Sequence, residues 1–365
     1  MYERLAEAFE RGLKGAMKKF YSWLEGLGID SGKFSLDEVE EFLRTNPEAT
    51  VDRTRELETI AEYMGYYSRK KSEVLHIPIL GVSGSGRTHI LRVIFGFSSN
   101  VGMRALFMDA AEFSEVEAES QRFEELLEEV RERRPDILIV DNCESDANIR
   151  YSLRELIRAK GRGVLIITSW CPVTWEYERD DVEEIVETTE EVFLNPFSPE
   201  ETFQLISKIA SFISDGKLNI PKDVCDEIHR YSMGIPRVAI TLFFRGFRES
   251  FRSGGSGIDL KAVRKAAGAM GLSNLDELLS GLSDMQLLVL KHIILSRDPR
   301  GIRPIRLVEI LNRDKATVSY HLEQLLSGRV VTRTKLGRFA FYRIRRDLLP
   351  FVQLRLYREG EFYRA

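Results

Sequence analysis

One stretch of the chain combines glycines, hydroxyl groups and a cation in an order that suits phosphate: Gly81-Val82-Ser83-Gly84-Ser85-Gly86-Arg87-Thr88. It follows the largely apolar run Val74 to Leu80, which is typical of a strand, and precedes His89 to Phe97, which is typical of a helix. Glycines let successive backbone N–H groups converge on phosphate oxygens, and the helix start adds free N–H groups and a positive dipole end. The pattern predicts a phosphate-binding loop. A glycine–serine turn formed by chance is the alternative.

The spacing is that of the P-loop, G-x-x-x-x-G-K-[ST], except that Arg87 stands where lysine is expected. Thr88 takes the position whose hydroxyl would reach Mg²⁺. Arginine keeps the positive charge, but its guanidinium is a wide planar fork and the lysine ammonium is compact. We therefore expect nucleotide binding with slow hydrolysis. The predicted contacts to the nucleotide within the loop are Gly81, Ser83, Gly84, Ser85, Gly86, Arg87 and Thr88.

A second apolar run ends in an acid, as the Walker B pattern does. It is Asp136-Ile137-Leu138-Ile139-Val140-Asp141-Asn142. A buried strand of this kind delivers its carboxylate to the Mg²⁺ shell beside a P-loop, so Thr88 and Asp141 are the predicted Mg²⁺ residues. Asn142 stands where proteins that hydrolyse ATP quickly usually have Glu. An amide can position water but cannot take its proton, which again favours slow turnover. Glu144 could act instead only if its loop bends towards the phosphate.

Size and composition limit the class of protein. At 365 residues the chain is long enough for two or three domains, by a prior of about 150 residues per domain. Hydrophobic residues make up 43% and charged residues 30%, which is typical of a soluble globular protein. We expect neither a membrane span nor a secretory signal, and place the chain in the cytoplasm, associated with the nucleoid. Cys143, Cys171 and Cys225 lack C-x-x-C spacing and predict reduced thiols.

The charge is uneven along the chain. Residues 283–365 contain 17 Lys or Arg and 8 Asp or Glu, whereas the remainder contains 36 and 49. A basic segment on an acidic body indicates a polyanionic partner. The pattern of this segment predicts a winged helix-turn-helix. Its elements are a helix over Met285 to Leu295, a helix over Pro304 to Leu311, a helix over Lys315 to Leu326, and a hairpin of Arg329 to Lys335 with Arg338 to Arg345.

We predict that this segment binds double-stranded DNA, with protein contacts as the alternative. Val318, Leu322 and Leu325 would face the core, which leaves polar side chains near the start of the third helix to meet DNA. Basic side chains on the hairpin would lie against phosphates or the minor groove and supply salt-dependent affinity. The predicted DNA contacts are Lys315, Thr317, Ser319, Tyr320, His321, Arg333, Lys335 and Arg338.

Several further motifs resemble those of AAA+ ATPases. Arg53 and Glu56 match the R-x-x-E-[LI] start of the helix that lies beside the adenine in that family. The run Val164 to Ile167 is followed by Thr168 and Ser169, where the family places sensor 1, a polar residue that contacts the attacking water or the γ-phosphate. Of these two residues we choose Ser169. The resemblance therefore implies a nucleotide contact for Arg53 and a catalytic role for Ser169 beside Asn142.

The lid of AAA+ proteins has its own signature. The stretch Val192 to Glu201 is similar to the last strand, Pro-aromatic-Ser and capped helix at the entry to that lid. Gly234-Ile235-Pro236-Arg237 is placed as the sensor 2 motif is, so Arg237 is expected to reach the γ-phosphate; a surface arginine after a helix break is the alternative. Where an arginine finger is expected, the chain is acidic, and Arg179 is the nearest candidate.

The resemblance covers Val51 to Gly271 and implies an α/β fold. We expect a P-loop AAA+ three-layer αβα core with a parallel sheet, an all-α helical lid and a C-terminal winged helix-turn-helix. The predicted domains are an N-terminal helical segment over residues 1–50, the core over 51–197, the lid over 198–282 and the winged helix over 283–365. This order is similar to that of the archaeal origin-recognition and replication-initiator ATPases.

That resemblance implies ATP or ADP with Mg²⁺ between core and lid, duplex DNA at the winged helix, and self-association or contacts with replication or transcription proteins. The nucleotide would set the angle between core and lid through Arg237. Two other functions remain open: a slow, nucleotide-gated transcription regulator of the STAND type, and a pseudo-ATPase that serves as a DNA-binding scaffold. A branch-migration motor ranks last, because motors need rapid turnover and an arginine finger.

Overall fold

The computed structural model describes residues 4–5, 15, 18–113, 119–296, 298 and 300–362. This part of the chain divides into two compact units, Met1–Asp52 with Pro196–Leu275 and Arg53–Asn195 with Asp276–Ala365. We call the first the helical unit and the second the sheet unit. The domain boundaries inferred from the sequence stay predictions.

The helical unit contains only helices and turns among its described residues. Its helices, numbered in chain order, are α1 (18–26), α2 (Leu36–Thr45), α8 (Pro199–Ser214), α9 (Lys222–Ser232), α10 (Pro236–Arg252) and α11 (Leu260–Met270). Aromatic side chains join the N-terminal helices to α10, with the Phe34 ring 4.6 Å from that of Phe244. Within the N-terminal helical segment predicted over residues 1–50, α1 and α2 are helical as expected, and most of residues 1–17 lie outside the described part of the chain.

In the described part of the sheet unit, five parallel strands pair in the order β2-β3-β4-β1-β5. The strands are β1 (Val74–Leu80), β2 (Ala105–Asp109), β3 (Ile137–Asp141), β4 (Val164–Trp170) and β5 (Val192–Phe193). The helices before and between them are α3 (Thr54–Arg69), α4 (Arg87–Asn100), α5 (Glu119–Arg133), α6 (Ile149–Lys160) and α7 (Pro172–Glu183). The carboxyl ends of β1, β4 and β3 are therefore neighbours, and all three carry predicted site residues.

The strands are buried on both faces, as their continuous apolar runs predict. Because side chains alternate along a strand, Ile137 and Ile139 enter the core shared with α3 and α4, and Leu138 and Val140 enter the core shared with α5 and α6. The result is the predicted three-layer αβα arrangement.

One strand is longer than its apolar pattern indicates. The sequence places the end of β4 at Ile167, but the strand continues to Trp170 and pairs with β1 through Thr168 and Ser169. Both hydroxyl side chains are fully buried. They can lie inside the strand because buried polar neighbours form hydrogen bonds with both hydroxyl groups. The strand therefore ends three residues later than the apolar pattern predicts.

The described residues from 283 to 362, here called the C-terminal segment, form the helices and the hairpin predicted for this part of the chain. A short helix α12 (Leu275–Ser280) precedes α13 (Asp284–Leu295), α14 (Pro304–Leu311), α15 (Lys315–Ser327), the antiparallel strands β6 (Val331–Leu336) and β7 (Phe339–Ile344), and α16 (Leu349–Phe362). The sequence patterns did not predict α12 or α16. Helices α13 and α16 pack against α7 of the same unit. The winged-helix assignment stays a prediction.

None of the described helices combines the length and the apolar character that crossing a membrane requires.

Candidate nucleotide-binding site

The P-loop leaves β1 and turns directly into α4. Gly84 and Gly86 have φ values of 82° and 102°, a left-handed backbone that side chains disfavour. A Cβ on Gly81 would lie 2.3 Å from Ser85 Oγ, so the loop is closed too tightly there for a side chain. The Gly81 N–H donates to the Trp170 carbonyl at 3.1 Å and fixes the loop to the end of β4. The loop backbone therefore meets the N-terminus of α4 in the conformation that a phosphate cradle needs.

The two predicted Mg²⁺ residues are in contact. Thr88 Oγ1 donates to Asp141 Oδ2 at 2.6 Å, and the other carboxylate oxygen accepts from Ser169 Oγ at 2.5 Å and from the Asn142 N–H at 2.9 Å. Asp141 is only 1% exposed. The strand order explains the arrangement, since β4 lies between β1 and β3. A hydroxyl and a carboxylate side by side are ligands that suit Mg²⁺.

The cation of the loop has an acidic partner. Arg87 Nη2 donates to Glu144 Oε1 at 2.6 Å, with the Arg87 side chain 9% exposed and that of Glu144 21% exposed. Burial lowers the pKa of Arg87, but the Glu144 carboxylate outweighs burial and the pKa is raised overall, so the guanidinium stays charged. The loop of Glu144 thus does bend towards the P-loop, and its carboxylate forms an ion pair there.

Three buried polar atoms at this place lack a hydrogen-bond partner among the described residues. They are Ser85 Oγ, Arg87 Nη1 and Glu144 Oε2. Buried polar groups are normally satisfied, so orphaned donors in a glycine loop indicate a site for an acceptor-rich group. Ser85 Oγ and Arg87 Nη1 are both hydrogen-bond donors, and Arg87 is positively charged, so both suit phosphate oxygens. Glu144 Oε2 does not, because it is an acceptor itself.

The Mg²⁺ ion would depend on the nucleotide as well as on the protein. Among the described residues, no group of three or more His, Cys, Asp or Glu side chains could hold a metal ion. Mg²⁺ usually keeps several waters and binds through one or two protein groups plus phosphate oxygens. Thr88 and Asp141 fit that mode.

The side chains of Asn142 and Thr168 both have hydrogen-bond partners within the sheet unit, and the catalytic role of Asn142 stays a prediction. Asn142 has φ 53° and its amide Nδ2 donates to Asp109 Oδ1 at 3.0 Å. Thr168 Oγ1 accepts from Trp170 Nε1 at 2.7 Å and lies 2.7 Å from the Nε2 atom of His76. Burial lowers the pKa of His76 to about 3, so this ring is neutral. Because Thr168 is hydrogen-bonded to Trp170 and His76, Ser169 provides the hydroxyl at this end of β4 that contacts Asp141.

Arg53 is almost completely buried within the sheet unit. Its guanidinium pairs with Glu56 at 3.1 Å and donates to the Asn195 carbonyl at 2.7 Å. Burial, and then the charge of Arg53, lower the pKa of His89 to about 4. Arg53 therefore ties the start of α3 to Asn195, which follows β5, and its contact with adenine stays a prediction.

The arginines predicted as sensor 2 and as arginine finger each form an ion pair within their own unit. Arg237, the second residue of α10, is exposed and pairs with Glu40 at 2.8 Å within the helical unit. Arg179 pairs with Glu183 at 3.2 Å and with Glu191 at 2.8 Å in the sheet unit. Their roles as sensor 2 and arginine finger stay predictions.

The core-facing residues of α15 lie where the sequence placed them, with Val318, Leu322 and Leu325 buried. The predicted DNA contacts fall into two groups by exposure. The exposed residues are Lys315, Tyr320, Arg333, Lys335 and Arg338, and the half-buried residues are Thr317, Ser319 and His321. Two of these have local partners: Thr317 Oγ1 donates to the capping Asp314 at 2.6 Å, and Arg333 pairs with Glu323 at 2.9 Å.

The sequence motifs missed one residue at the P-loop. The Ser83 N–H donates to the side-chain oxygen Oε1 of Gln353 at 2.7 Å. Gln353 lies in α16 and is 5% exposed. The apolar spacing of Leu348, Phe351 and Val352 could have indicated the helix, but no sequence pattern pairs residues 270 positions apart.

No protein-family model matches the chain, and no curated protein matches its sequence. Solved structures are similar. The Aeropyrum pernix ORC1 protein in complex with DNA has 16% sequence identity and a TM-score of 0.50, with 86% of this chain and 94% of that chain covered. The Aeropyrum pernix ORC2 protein in its ADPNP–ADP complexes has 14% identity and a TM-score of 0.47, covering 85% and 95%. The Thermotoga maritima RuvB Holliday junction branch migration motor has 17% identity and a TM-score of 0.45, covering 87% and 97%. At this identity the likeness to ORC1 shows a shared fold.

Proposed function

We propose that this chain, which has the fold of origin-recognition AAA+ ATPases, binds ATP or ADP with Mg²⁺ and hydrolyses ATP slowly, and that its nucleotide state sets how a C-terminal winged helix is placed on duplex DNA. The bound nucleotide would set the angle between core and lid through Arg237. Such a shift requires the two states to differ in free energy between the two arrangements.

The observation that carries the proposal is the contact between Thr88 and Asp141 beneath a glycine loop whose buried donors are orphaned. The loop N–H groups, Ser85 and Arg87 would hold the phosphates, and Thr88 with Asp141 would hold Mg²⁺. The metal would supply charge neutralisation on the phosphates. Asn142 carries an amide and Glu144 is held by Arg87, so neither supplies an unhindered base, which supports slow turnover.

Titration of the full chain tests nucleotide binding. We expect ATP and ADP to bind, and we expect Thr88→Ala to weaken binding about tenfold in Mg²⁺, a loss of about 1.4 kcal/mol. In EDTA the variant and the parent should bind equally, because the hydroxyl acts through the metal. Thr59→Ala is the control, since that hydroxyl donates only to the Arg55 carbonyl of its own helix. Failure of the parent chain to bind either nucleotide, measured by isothermal titration calorimetry, would contradict the proposal.

DNA binding is tested by its salt dependence. Lys335 and Arg338 are exposed on the hairpin, and each phosphate contact contributes about one unit to the slope of log K against log salt. We expect the double variant Lys335→Ala, Arg338→Ala to reduce that slope by about two and to weaken binding to all duplex sequences alike. Lys222→Ala, an exposed lysine of the helical unit, should leave the slope unchanged. An unchanged slope in the hairpin variant would place the DNA contact elsewhere.

One observation favours the pseudo-ATPase scaffold as a second candidate. Glu144 already compensates the charge of Arg87, so the loop cation does not need a phosphate for its neutralisation. The same titration distinguishes the two functions, because a scaffold would bind DNA and no nucleotide.

A further inference from the structure

The C-terminal segment inserts a side chain into the phosphate loop. Gln353 Oε1 accepts a 2.7 Å hydrogen bond from the N–H of Ser83, the third residue of the loop. Backbone N–H groups of such a loop are the donors that a phosphate uses. The amide oxygen of Gln353 thus occupies one backbone donor of this loop.

Gln353 is held firmly in this position. Residues 350–354 of α16 are all buried, and the helix packs against α13 and α7. One turn further on, the Tyr357 ring stacks on Phe193 of β5, with the ring centres 6.0 Å apart. A side chain anchored from a packed helix loses little conformational entropy when it forms this bond, so the contact contributes to docking of the segment.

Two other side chains of the loop also have partners within the protein. Arg87 pairs with Glu144 and Thr88 donates to Asp141, so the charge of Arg87 is compensated within the protein. A neutral amide oxygen is a weaker acceptor than a phosphate oxygen, because hydrogen bonds to charged acceptors are about twice as strong. A phosphate that enters the loop can therefore displace Gln353.

We propose that Gln353 and a nucleotide phosphate compete for the Ser83 N–H, so that the nucleotide loosens the C-terminal segment from the sheet core. The inference rests on the proposed nucleotide binding and adds its regulation: docking of α16 lowers nucleotide affinity. A partner that binds the released segment would therefore raise nucleotide affinity. By linkage, the nucleotide raises the affinity for that partner by the same factor.

Affinities of three full-length variants test the competition. With the fluorescent analogue of ATP and Mg²⁺, we expect Gln353→Ala to bind about fivefold more tightly than the parent, the effect of one hydrogen bond. Gln353→Glu should bind more weakly than the parent, because it keeps the acceptor and adds a negative charge that repels the phosphate. Gln324→Ala, on the exposed side of α15, is the matched control and should bind as the parent does.

Hydrogen exchange supplies a readout that does not depend on turnover. Saturating the parent chain with ATP and Mg²⁺ should raise deuterium uptake in residues 349–358, and Gln353→Ala should show raised uptake without nucleotide. Tighter binding together with increased exchange would support the inference. Equal or weaker binding by Gln353→Ala, or unchanged exchange on saturation, would overturn it and leave nucleotide binding intact. Absence of nucleotide binding in all variants would overturn both.

Discussion

Replacing Glu144 with alanine should lower the free energy of unfolding by about 3 kcal/mol without nucleotide, because it leaves the buried guanidinium of Arg87 without its counter-ion. Arg87 is 9% exposed, and an arginine guanidinium stays protonated in proteins even when it is buried, so loss of a proton does not relieve the cost. Chemical denaturation of the full chain measures the loss. Saturating ATP with Mg²⁺ should then raise the melting temperature of the variant by more than that of the parent, since phosphate replaces the missing negative charge.

Glu155→Ala is the matched control for this prediction. Glu155 also lies 2.6 Å from an arginine and is also 21% exposed, but its partner Arg158 is 67% exposed. Exposed pairs contribute about 0.5 kcal/mol, so this variant should be nearly as stable as the parent. Similar losses in the two variants would mean that burial of Arg87 does not set the cost, and the same nucleotide shift in both would argue against a phosphate beside Arg87.

The sheet and its phosphate loop could be predicted from local patterns because each part is encoded over a few consecutive residues. The apolar run before Gly81 and the run that ends in Asp141 form β1 and β3, buried on both faces. Helix α15 was predicted for the same reason, because the spacing of the buried residues Val318, Leu322 and Leu325 is a local signal.

The ion pair and the buried hydrogen bonds of the site could not be predicted in the same way, since they join residues that are distant in sequence. Glu144 meets Arg87 across 57 positions, and which carboxylate reaches the loop depends on the order of the strands. Thr168 and Ser169 continue β4 because their buried hydroxyl groups form hydrogen bonds with His76 and Asp141. Apolar periodicity contains no information on such buried polar partners.

The second large effect is expected in the helical unit. Gly234→Ala should lower its free energy of unfolding by about 3 kcal/mol, because the position combines a left-handed backbone with a close approach of another chain segment. Its φ is 73°, and a Cβ there would lie 2.1 Å from the carbonyl oxygen of Phe197. The Phe197 N–H also donates to the Gly234 carbonyl at 2.7 Å, so the two segments cannot separate without breaking that bond.

Gly254→Ala separates the two contributions, since Gly254 has nearly the same φ, 71°, but a Cβ there would meet nothing within 4 Å. This variant should cost only about 1 kcal/mol, the price of a left-handed alanine. Urea denaturation of the full chain, followed by circular dichroism, compares the two. Equal costs would mean that the backbone conformation alone requires glycine at 234. A larger cost at 234 would show that the contact with Phe197 fixes the start of α10, and with it Arg237, to the residues that precede α8.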